Sequence, residues 1–264
     1  MEETKLTGYP SIDRPWLKNY SEEAIHAPLP KCTAYELIRR GNAGHPDDIA
    51  LIYFDRKITY QQLFDGIERT AKAFAAFGVT QGDIVILCVV NMPETVCALY
   101  ALDRLGAVAN LIDPRTNAEQ FHNYITECDA KMVVTVDLAY SIIQQASSET
   151  TVERIITISP ADSLPPVKRI AYRLKNKAPA LASGDMCWAD FIARGAMYHL
   201  NMPHMKRIVV LSLHIPAVQQ ESQRASCSRM TISMSLHMDT SVLIFRSSGS
   251  TSILTIYLRL SSMA

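Results

Sequence analysis

The sequence predicts an α/β protein with a doubly wound, mostly parallel sheet and flanking helices. From about residue 49 to residue 158, short apolar segments alternate with segments of helical periodicity, the pattern of consecutive βαβ units. The unbroken apolar run Ile84–Val90 indicates a strand buried on both faces, as in a parallel sheet covered by helices. Gly78 and Gly106 follow helical patterns, and Pro93 suits a first helical turn. The 264 residues suffice for one large domain or two smaller ones.

The first 32 residues are predicted to form an extended arm. Four prolines fall within residues 1–30, and no helical or strand period is visible there. Trp16 and Tyr20 are the expected anchors of this arm on the surface of the domain. Thr33 followed by Glu36 has the spacing of a capping box. The α/β domain is therefore expected to begin with a helix at residue 33 and to extend to residue 203.

The remaining elements follow in chain order. Short runs rich in β-branched residues predict strands, and apolar residues spaced three and four apart predict helices. We expect strands at Ile49–Phe54, Ile58–Tyr60, Ile84–Val90, Ala107–Ile112, Met132–Val136 and Arg154–Ile158. We expect helices at Tyr60–Phe77, Pro93–Arg104, Asn117–Cys128, Leu138–Ala146 and Trp188–Arg194, with a basic amphipathic stretch at Leu164–Lys177.

Composition narrows the class of protein. Lys and Arg number 26 against 26 Asp and Glu, and 48% of residues are hydrophobic, which excludes global disorder and disfavours nucleic acid or an anionic membrane as the main partner. Six cysteines are scattered without a Cys-x-x-Cys pair, which favours a reduced, cytoplasmic compartment and no zinc ribbon. The amino terminus lacks the features of a signal peptide, and no apolar run is long enough for an integral membrane segment.

Three stretches of the chain carry a resemblance to a known family. They are Ile58–Leu63 with the following Gly78–Val85, then Asn91–Thr95, and then Leu102–Val108 leading into Ile112–Arg115. In this order and spacing they resemble the N-terminal region of AMP-forming acyl-CoA synthetases, which are adenylate-forming ligases. The resemblance runs from about residue 33 to about residue 158, and it implies that the sheet is part of the N-terminal domain of that fold.

The resemblance also implies a chemistry. Members of the family make an acyl-adenylate from a fatty or other carboxylic acid and ATP with magnesium, and then pass the acyl group to coenzyme A. A loop of the form T-[SG]-G-[ST]-T-G-x-P-K-G grips the phosphates through backbone N–H groups and a lysine. This loop is expected shortly after Trp188, but no such loop can be read there in frame. The chain is also expected to lack the later ATP-binding motifs and the catalytic lysine of the C-terminal domain.

No catalytic, cofactor-binding or metal-binding residue is therefore assigned from the sequence. Asn91 is the most site-like residue, because it follows a strand at the end where open α/β sheets bind ligands. A loop-capping role is nevertheless favoured for it. Gly78, Gly82 and Gly106 are interpreted as scaffold residues that allow the chain to reverse.

The sequence changes character near residue 204. Residues 204–264 contain 13 of the 21 serines, one glycine and only two acidic residues, and their net charge is +4 against −4 for residues 1–203. An α/β domain needs more turn residues than this. The expectation is an irregular, poorly ordered tail, although Val242–Phe245 and Ile253–Leu260 are strongly apolar.

The genetic code offers an explanation for this tail. When the third base of each codon is read with the first two bases of the next, residues 215–225 can encode T-G-G-T-T-G-I-P-K-G, the missing phosphate loop. Arg259–Ala264 can likewise encode F-I-V-Y-G, which resembles a later segment of the family. We therefore hypothesise a frame change near Pro203 and an inactive chain. The in-frame segment Ser247–Ser252 resembles the start of the same loop but lacks the Pro-Lys-Gly that should follow.

The sequence leaves other interpretations open. The runner-up function is a non-catalytic α/β binding module with a genuine tail that resists proteolysis, whereas an out-of-frame tail should be cleaved early. Five basic residues within 168–177 are compatible with a membrane or nucleic-acid contact, but a solvated helix face is favoured. Cys88 and Cys97 are predicted core residues. No metal-ligand spacing is found for four of the histidines, which are His26, His45, His122 and His199.

Overall fold

The computed structural model describes residues 7–27, 32–198, 241–244 and 255–258. The helices in these ranges are α1 (Pro10–Asp13), α2 (Glu22–His26), α3 (Ala34–Gly41), α4 (Tyr60–Ala76), α5 (Pro93–Leu105), α6 (Ala118–Cys128), α7 (Tyr140–Ala146), α8 (Pro160–Ser163), α9 (Pro166–Lys175) and α10 (Trp188–Gly195). The strands are β1 (Ile49–Tyr53), β2 (Arg56–Thr59), β3 (Ile84–Cys88), β4 (Val108–Leu111), β5 (Met132–Val136), β6 (Arg154–Ile158), β7 (Met186–Cys187), β8 (Ser241–Ile244) and β9 (Thr255–Leu258).

Five of these strands form a parallel sheet in the order β4-β3-β5-β6-β7. Val85 of β3 pairs with both Ala109 of β4 and Met132 of β5, so β3 lies in the interior of the sheet. Every residue of β5 is buried. Because side chains alternate between the two faces of a strand, complete burial means that both faces are covered. The predicted doubly wound parallel sheet with flanking helices is confirmed.

The sheet grows from β3 in two directions. β4 lies on one side of β3, while β5, β6 and β7 follow in sequence on the other side. This is the flavodoxin-like strand order, in which the chain reverses its direction of growth between the first and third strands of the sheet.

A second sheet is antiparallel and has the order β2-β1-β9-β8. Tyr53 pairs with Arg56 across the turn of the β1–β2 hairpin, and Leu51 pairs with Ile256 of β9. An irregular tail was expected, and this expectation does not hold for Ser241–Ile244 and Thr255–Leu258, the residues after 203 that the structure describes. Parts of its two apolar runs form β8 and β9, because the outer edge of β1 offers unpaired backbone groups to an added strand.

The first segment of the chain is not extended, contrary to expectation. Its described part contains α1, a 3₁₀ turn at Pro15–Asn19 and α2. Pro10 and Pro15 occupy first helical positions, where a fixed φ favours the turn, and Ser21 caps α2 by accepting from the Ala24 N–H at 3.2 Å. Trp16 is 45% exposed and does not act as the predicted anchor.

Three helices pack as a layer beside the sheet. α4 contacts both α5 and α10, and α10 also contacts β6 and β7. The contact between α4 and α10 is close: a Cβ added at Gly195 would lie 2.3 Å from Cα of Ala73. α4 begins with a complete capping box, in which Thr59 accepts from the Gln62 N–H and the Gln62 side chain accepts from the Thr59 N–H.

The start of α3 is held by a residue far along the chain. Asp103 of α5 is fully buried, and its Oδ2 accepts from the Tyr35 N–H at 2.7 Å. The next residue, Arg104, donates to the Tyr35 hydroxyl at 2.9 Å and forms an ion pair with Glu68. Asp103 thus supplements the cap from Thr33, which accepts from the Glu36 N–H at 3.1 Å.

Within the described ranges, no helix combines the length and the apolar character needed to cross a bilayer.

Candidate functional site

The carboxyl ends of the parallel strands are where a sheet of this order binds ligands, at the point where its direction of growth reverses. In this protein that point lies between β3 and β5. Asn91 follows β3, Asp113 follows β4, Asp137 follows β5 and Ser159 follows β6. Four polar residues therefore lie at one edge of the sheet.

Asp113 and Asn91 belong to short local turns at this edge. Arg115 donates to Oδ1 of Asp113 through its Nε at 2.9 Å and through its backbone N–H at 2.9 Å. These hydrogen bonds lower the pKa of Asp113 below its ordinary value. Asn91 is partly buried in the loop between β3 and α5, where Thr95 donates to the carbonyl of Val90 at 2.7 Å. Hydrogen bonds within each turn stabilise it, and the loop-capping role of Asn91 stays a prediction.

Asp137 joins three elements at the same edge. Ser159 donates to its Oδ2 at 2.7 Å, and the Tyr172 hydroxyl donates to its Oδ1 at 3.1 Å. Burial, and then the charge of Asp137, raises the pKa of Tyr172 and keeps its phenol protonated. Since both oxygens of this carboxylate already accept hydrogen bonds, Asp137 fastens the ends of β5, β6 and α9 together.

A cavity of about 500 Å³ lies beside the sheet. The β1–β2 hairpin, α4, α5, α8 and α10 form its walls. Its lining residues are Leu51, Arg56, Ile58, Gln62, Leu63, Asp65, Gly66, Arg69, Thr70, Pro93, Glu94, Cys97, Ser163, Trp188, Ala189 and Ile192. This volume falls within the range of small-molecule sites.

One of the polar groups of this cavity is the partly buried carboxyl group of Glu94, on the first turn of α5. Oε1 of Glu94 accepts a short hydrogen bond from Oγ of Ser163, and Nη1 of Arg56 donates to the same Oγ at 3.4 Å. Burial is the main cause of the raised pKa of Glu94, and the bond from Ser163 partly offsets it. Oε2 of Glu94 is buried without a hydrogen-bond partner in the described part of the chain. An unpaired buried acceptor beside an arginine can recognise a small molecule that carries a hydrogen-bond donor.

The one cysteine thiol among the lining residues of this cavity is not activated. Burial raises the pKa of the Cys97 thiol to about 12, so the thiol stays protonated at neutral pH. Across the described residues, no group of three His, Cys, Asp or Glu side chains could hold a metal ion. These residues also include no phosphate-binding loop of the family pattern, so the described part does not fit ATP with magnesium by itself.

The other residues singled out from the sequence do not form a site in the described structure. Cys88 is fully buried in β3, as predicted. His122 hydrogen-bonds the carbonyl of Ala146 at 2.9 Å, while His26 and His45 lie beside Glu22 and Asp48, respectively. Both candidate phosphate loops, at residues 215–225 and at Ser247–Ser252, lie outside the described residues, as does His199.

Sequence reasoning missed the cluster of Glu94, Arg56 and Ser163. Glu94 is separated from Ser163 by 69 residues, and Arg56 is separated from it by 107. The only sequence signal was the position of Glu94 within Asn91–Thr95, one of the three stretches that resemble the ligase family.

Comparison with known proteins defines the class of this chain. Residues 38–252 match the profile of the family described as AMP-binding enzyme. The chain belongs to that family, and the resemblance to adenylate-forming ligases is confirmed. The matched range passes residue 203, where the composition changes, and takes in β8 and the segment Ser247–Ser252.

The curated relatives of the chain include acyl-CoA and acetyl-CoA ligases. The chain is 25% identical over 165 residues to a long-chain-fatty-acid–CoA ligase of Bacillus subtilis, covering 62% of this chain and 30% of that one. It is 27% identical over 179 residues to an acetyl-coenzyme A synthetase of Bartonella henselae, covering 66% of this chain and 26% of the relative. The chain thus spans less than a third of the length of these relatives.

Solved structures agree on the fold. The anthranilate CoA ligase AuaEII, in complex with anthranoyl-AMP, superimposes with a TM-score of 0.56 at 18% identity, covering 71% of this chain and 32% of that one. The coronafacic acid ligase of Pectobacterium brasiliense has a TM-score of 0.50 at 18% identity, covering 61% and 29%. The five-stranded sheet of this chain is therefore part of the N-terminal domain of adenylate-forming ligases.

Proposed function

We propose that the chain is the amino-terminal part of an ATP-dependent, AMP-forming acid–CoA ligase. The parent enzyme would convert a fatty or other carboxylic acid, ATP and coenzyme A to acyl-CoA, AMP and pyrophosphate, with magnesium bound to the nucleotide. The family match over residues 38–252 carries this proposal, and the similarity to acyl-CoA and acetyl-CoA ligases supports it. The described residues supply the scaffold and the edge of the sheet beside which such a reaction would take place.

We further propose that this 264-residue chain does not form an acyl-adenylate by itself. Adenylation needs a backbone cradle and a lysine at the phosphates. The segment Ser247–Ser252 lies just inside the end of the family match at residue 252, which supports it as one candidate for the loop. The pattern of the family ends in Gly-x-Pro-Lys-Gly, however, and the chain has Ser252-Ile253-Leu254-Thr255-Ile256 at these positions.

Pyrophosphate exchange tests the inactivity directly. The purified full chain is incubated with ATP, magnesium, labelled pyrophosphate and a panel of acids from acetate to palmitate. We expect no acid-dependent label in ATP, while the ligase of Bacillus subtilis, run as a positive control, gives exchange with long-chain acids. Acid-dependent exchange by the purified chain would show that it adenylates and would overturn the proposal.

The coding DNA tests the cause that we propose, a frame change near Pro203. We expect that one inserted or deleted base there restores T-G-G-T-T-G-x-P-K-G over residues 215–225. If no single-base change does so, the frame-change hypothesis is wrong and Ser247–Ser252 remains the candidate loop. The family match does not favour the alternative of an unrelated binding module.

A further inference from the structure

Helix α9 is the least buried long helix of the described chain. It has ten residues and none of them is buried. Only Arg169 and Tyr172 are partly covered, and the other eight side chains are exposed. A ten-residue helix with eight exposed side chains presents most of its surface for contact.

The outward face of α9 is apolar. Val167 is 80% exposed, Ile170 is 61% exposed and Leu174 is 82% exposed. Their spacing of three and four residues places them on one side of the helix. Single exposed aliphatic side chains are ordinary on a protein surface, but an aligned stripe of them indicates an interaction surface.

Basic side chains border this stripe. At 100° per residue, Lys168 and Lys175 fall on one flank of the helix and Arg173 falls on the other, while Lys177 follows the helix. Lys168 lies 3.3 Å from a carboxylate oxygen of Asp55, and Arg173 lies 3.2 Å from one of Asp162, both at the exposed surface. Exposed pairs of this kind are weak, so their cations remain available to a stronger anionic surface.

The side of α9 opposite the stripe fixes its orientation. The Tyr172 hydroxyl donates to Asp137, and Nη2 of Arg169 donates to the carbonyls of Asp162 and Leu164 at 3.3 Å each. The Lys168 ammonium also lies 5.0 Å from the centre of the Phe54 ring, which is 52% exposed at the turn of the hairpin. The apolar stripe is therefore held outward, and an exposed aromatic ring lies against Lys168 on one flank of the helix.

We propose that α9 binds an anionic lipid surface, with its apolar stripe in the interface and its basic flanks on the headgroups. An apolar stripe between basic flanks is the pattern of helices that lie in the plane of a membrane. Residues 204–264 carry a net charge of +4 and a second copy of α9 is equally basic, so both are electrostatically poor partners. Nucleic acid is disfavoured because aliphatic side chains occupy the outward face of α9, where a phosphate backbone would require basic ones.

Vesicle co-sedimentation of the full chain tests this proposal. We expect binding to vesicles that contain one third phosphatidylserine in phosphatidylcholine, and at least tenfold weaker binding to phosphatidylcholine alone or in 0.5 M salt. Leu174→Asp should weaken binding to the anionic vesicles at least tenfold, and Lys175→Glu should weaken it several-fold. Ile12→Asp is the matched control, because Ile12 is 65% exposed on α1, and it should leave binding unchanged.

Three results would overturn the proposal. The first is the absence of vesicle binding by a chain whose circular dichroism shows that it is folded. The second is binding that survives Leu174→Asp, or that Ile12→Asp weakens equally. The third is a different occupant, shown either by oligonucleotide binding tighter than vesicle binding or by a dimer that Leu174→Asp dissociates.

Discussion

Asp103 is a charged residue placed fully inside the protein. Desolvation raises its pKa from 3.8 to about 6, although the hydrogen bonds from the start of α3 act in the opposite direction. The ionised carboxylate is thus less favourable in the folded state than in the unfolded state. The contribution of Asp103 to the free energy of unfolding should therefore be most favourable below its ordinary pKa of 3.8. This contribution should be lost as the pH rises from there through about 6.

The substitution Asp103→Asn should remove this pH dependence. The amide can still accept from the Tyr35 N–H, and it has no charge to bury, so the free energy of unfolding at pH 8 should rise. The shift in the pKa corresponds to a gain on the order of 3 kcal/mol at most. Urea denaturation at pH 5 and at pH 8 measures the slope in both proteins.

The matched control for this prediction is Asp47→Asn, which makes the same chemical change on an exposed side chain. It should leave the difference in stability between pH 5 and pH 8 unchanged. A loss of stability in Asp103→Asn at pH 8 would mean that the negative charge on the cap is needed and would contradict the prediction.

Among the elements, the layer of α4, α5 and α10 depends on the absence of side chains at two points. A Cβ at Gly66 of α4 would lie 2.9 Å from the Cys97 sulfur of α5, and one at Gly195 would meet the backbone of Ala73. The first conflict involves a side chain that can move, whereas the second involves backbone. The contact between α4 and α10 is therefore the less tolerant of the two.

Gly195→Ala should force α10 away from α4 and reduce the free energy of unfolding by about 1–3 kcal/mol. Gly44→Ala is the control, because nothing lies within 4 Å of the added Cβ, and its effect should stay within about 0.5 kcal/mol. Thermal unfolding of the two variants distinguishes them. Equal melting temperatures would contradict the close packing of α4 and α10.

Element bounds were predictable where the sequence signal is local. Met132–Val136 and Arg154–Ile158 are strands with the bounds expected from the sequence, because each is a β-rich run between turn signals. The strand predicted to continue to Val90 ends at Cys88, since the carbonyl of Val90 accepts from Thr95 in the following loop. The arm was misjudged because its prolines begin short helices as readily as they break long ones.

At the scale of the whole molecule, sequence periodicity located six of the nine described strands but not β7, β8 or β9, and it did not show which strands are neighbours. The order of the strands depends on pairing between segments that are distant in the sequence. The cluster of Glu94, Ser163 and Arg56 depends on the same long-range packing, because its members are 69 and 107 residues apart. The sequence signals that identified the family are short and local. No local pattern predicts that Arg56 lies beside Ser163. The fold class was therefore predictable, whereas the cavity and its buried carboxyl were not.

Limited proteolysis tests whether residues 204–264 belong to the folded unit. The buried core identified in the structure comes from residues 32–191, and β9 contributes two paired residues to the edge of β1. We expect trypsin to cut first after residue 203 and to leave a fragment that unfolds cooperatively. Its melting temperature should fall by a few degrees at most, which corresponds to a loss of about 1 kcal/mol.

The opposite outcome would favour a genuine tail. If residues 204–264 resist trypsin for as long as the core does, or if a chain ending at residue 203 fails to fold, then the tail is an integral part of the domain. Mass spectrometry of the digest and circular dichroism of the shortened chain decide between these outcomes.

The order of strands in the parallel sheet has a consequence for biosynthesis. Each strand from β3 to β7 pairs with one that is next to it, or next but one, along the chain, and the whole sheet lies within residues 84–187. Its contact order is therefore low for a parallel sheet, which favours rapid folding. Because domains fold during synthesis from the amino terminus, this sheet can close while later codons are still being translated. If the coding DNA changes frame near codon 203, as we propose, every strand of this sheet is encoded upstream of the change.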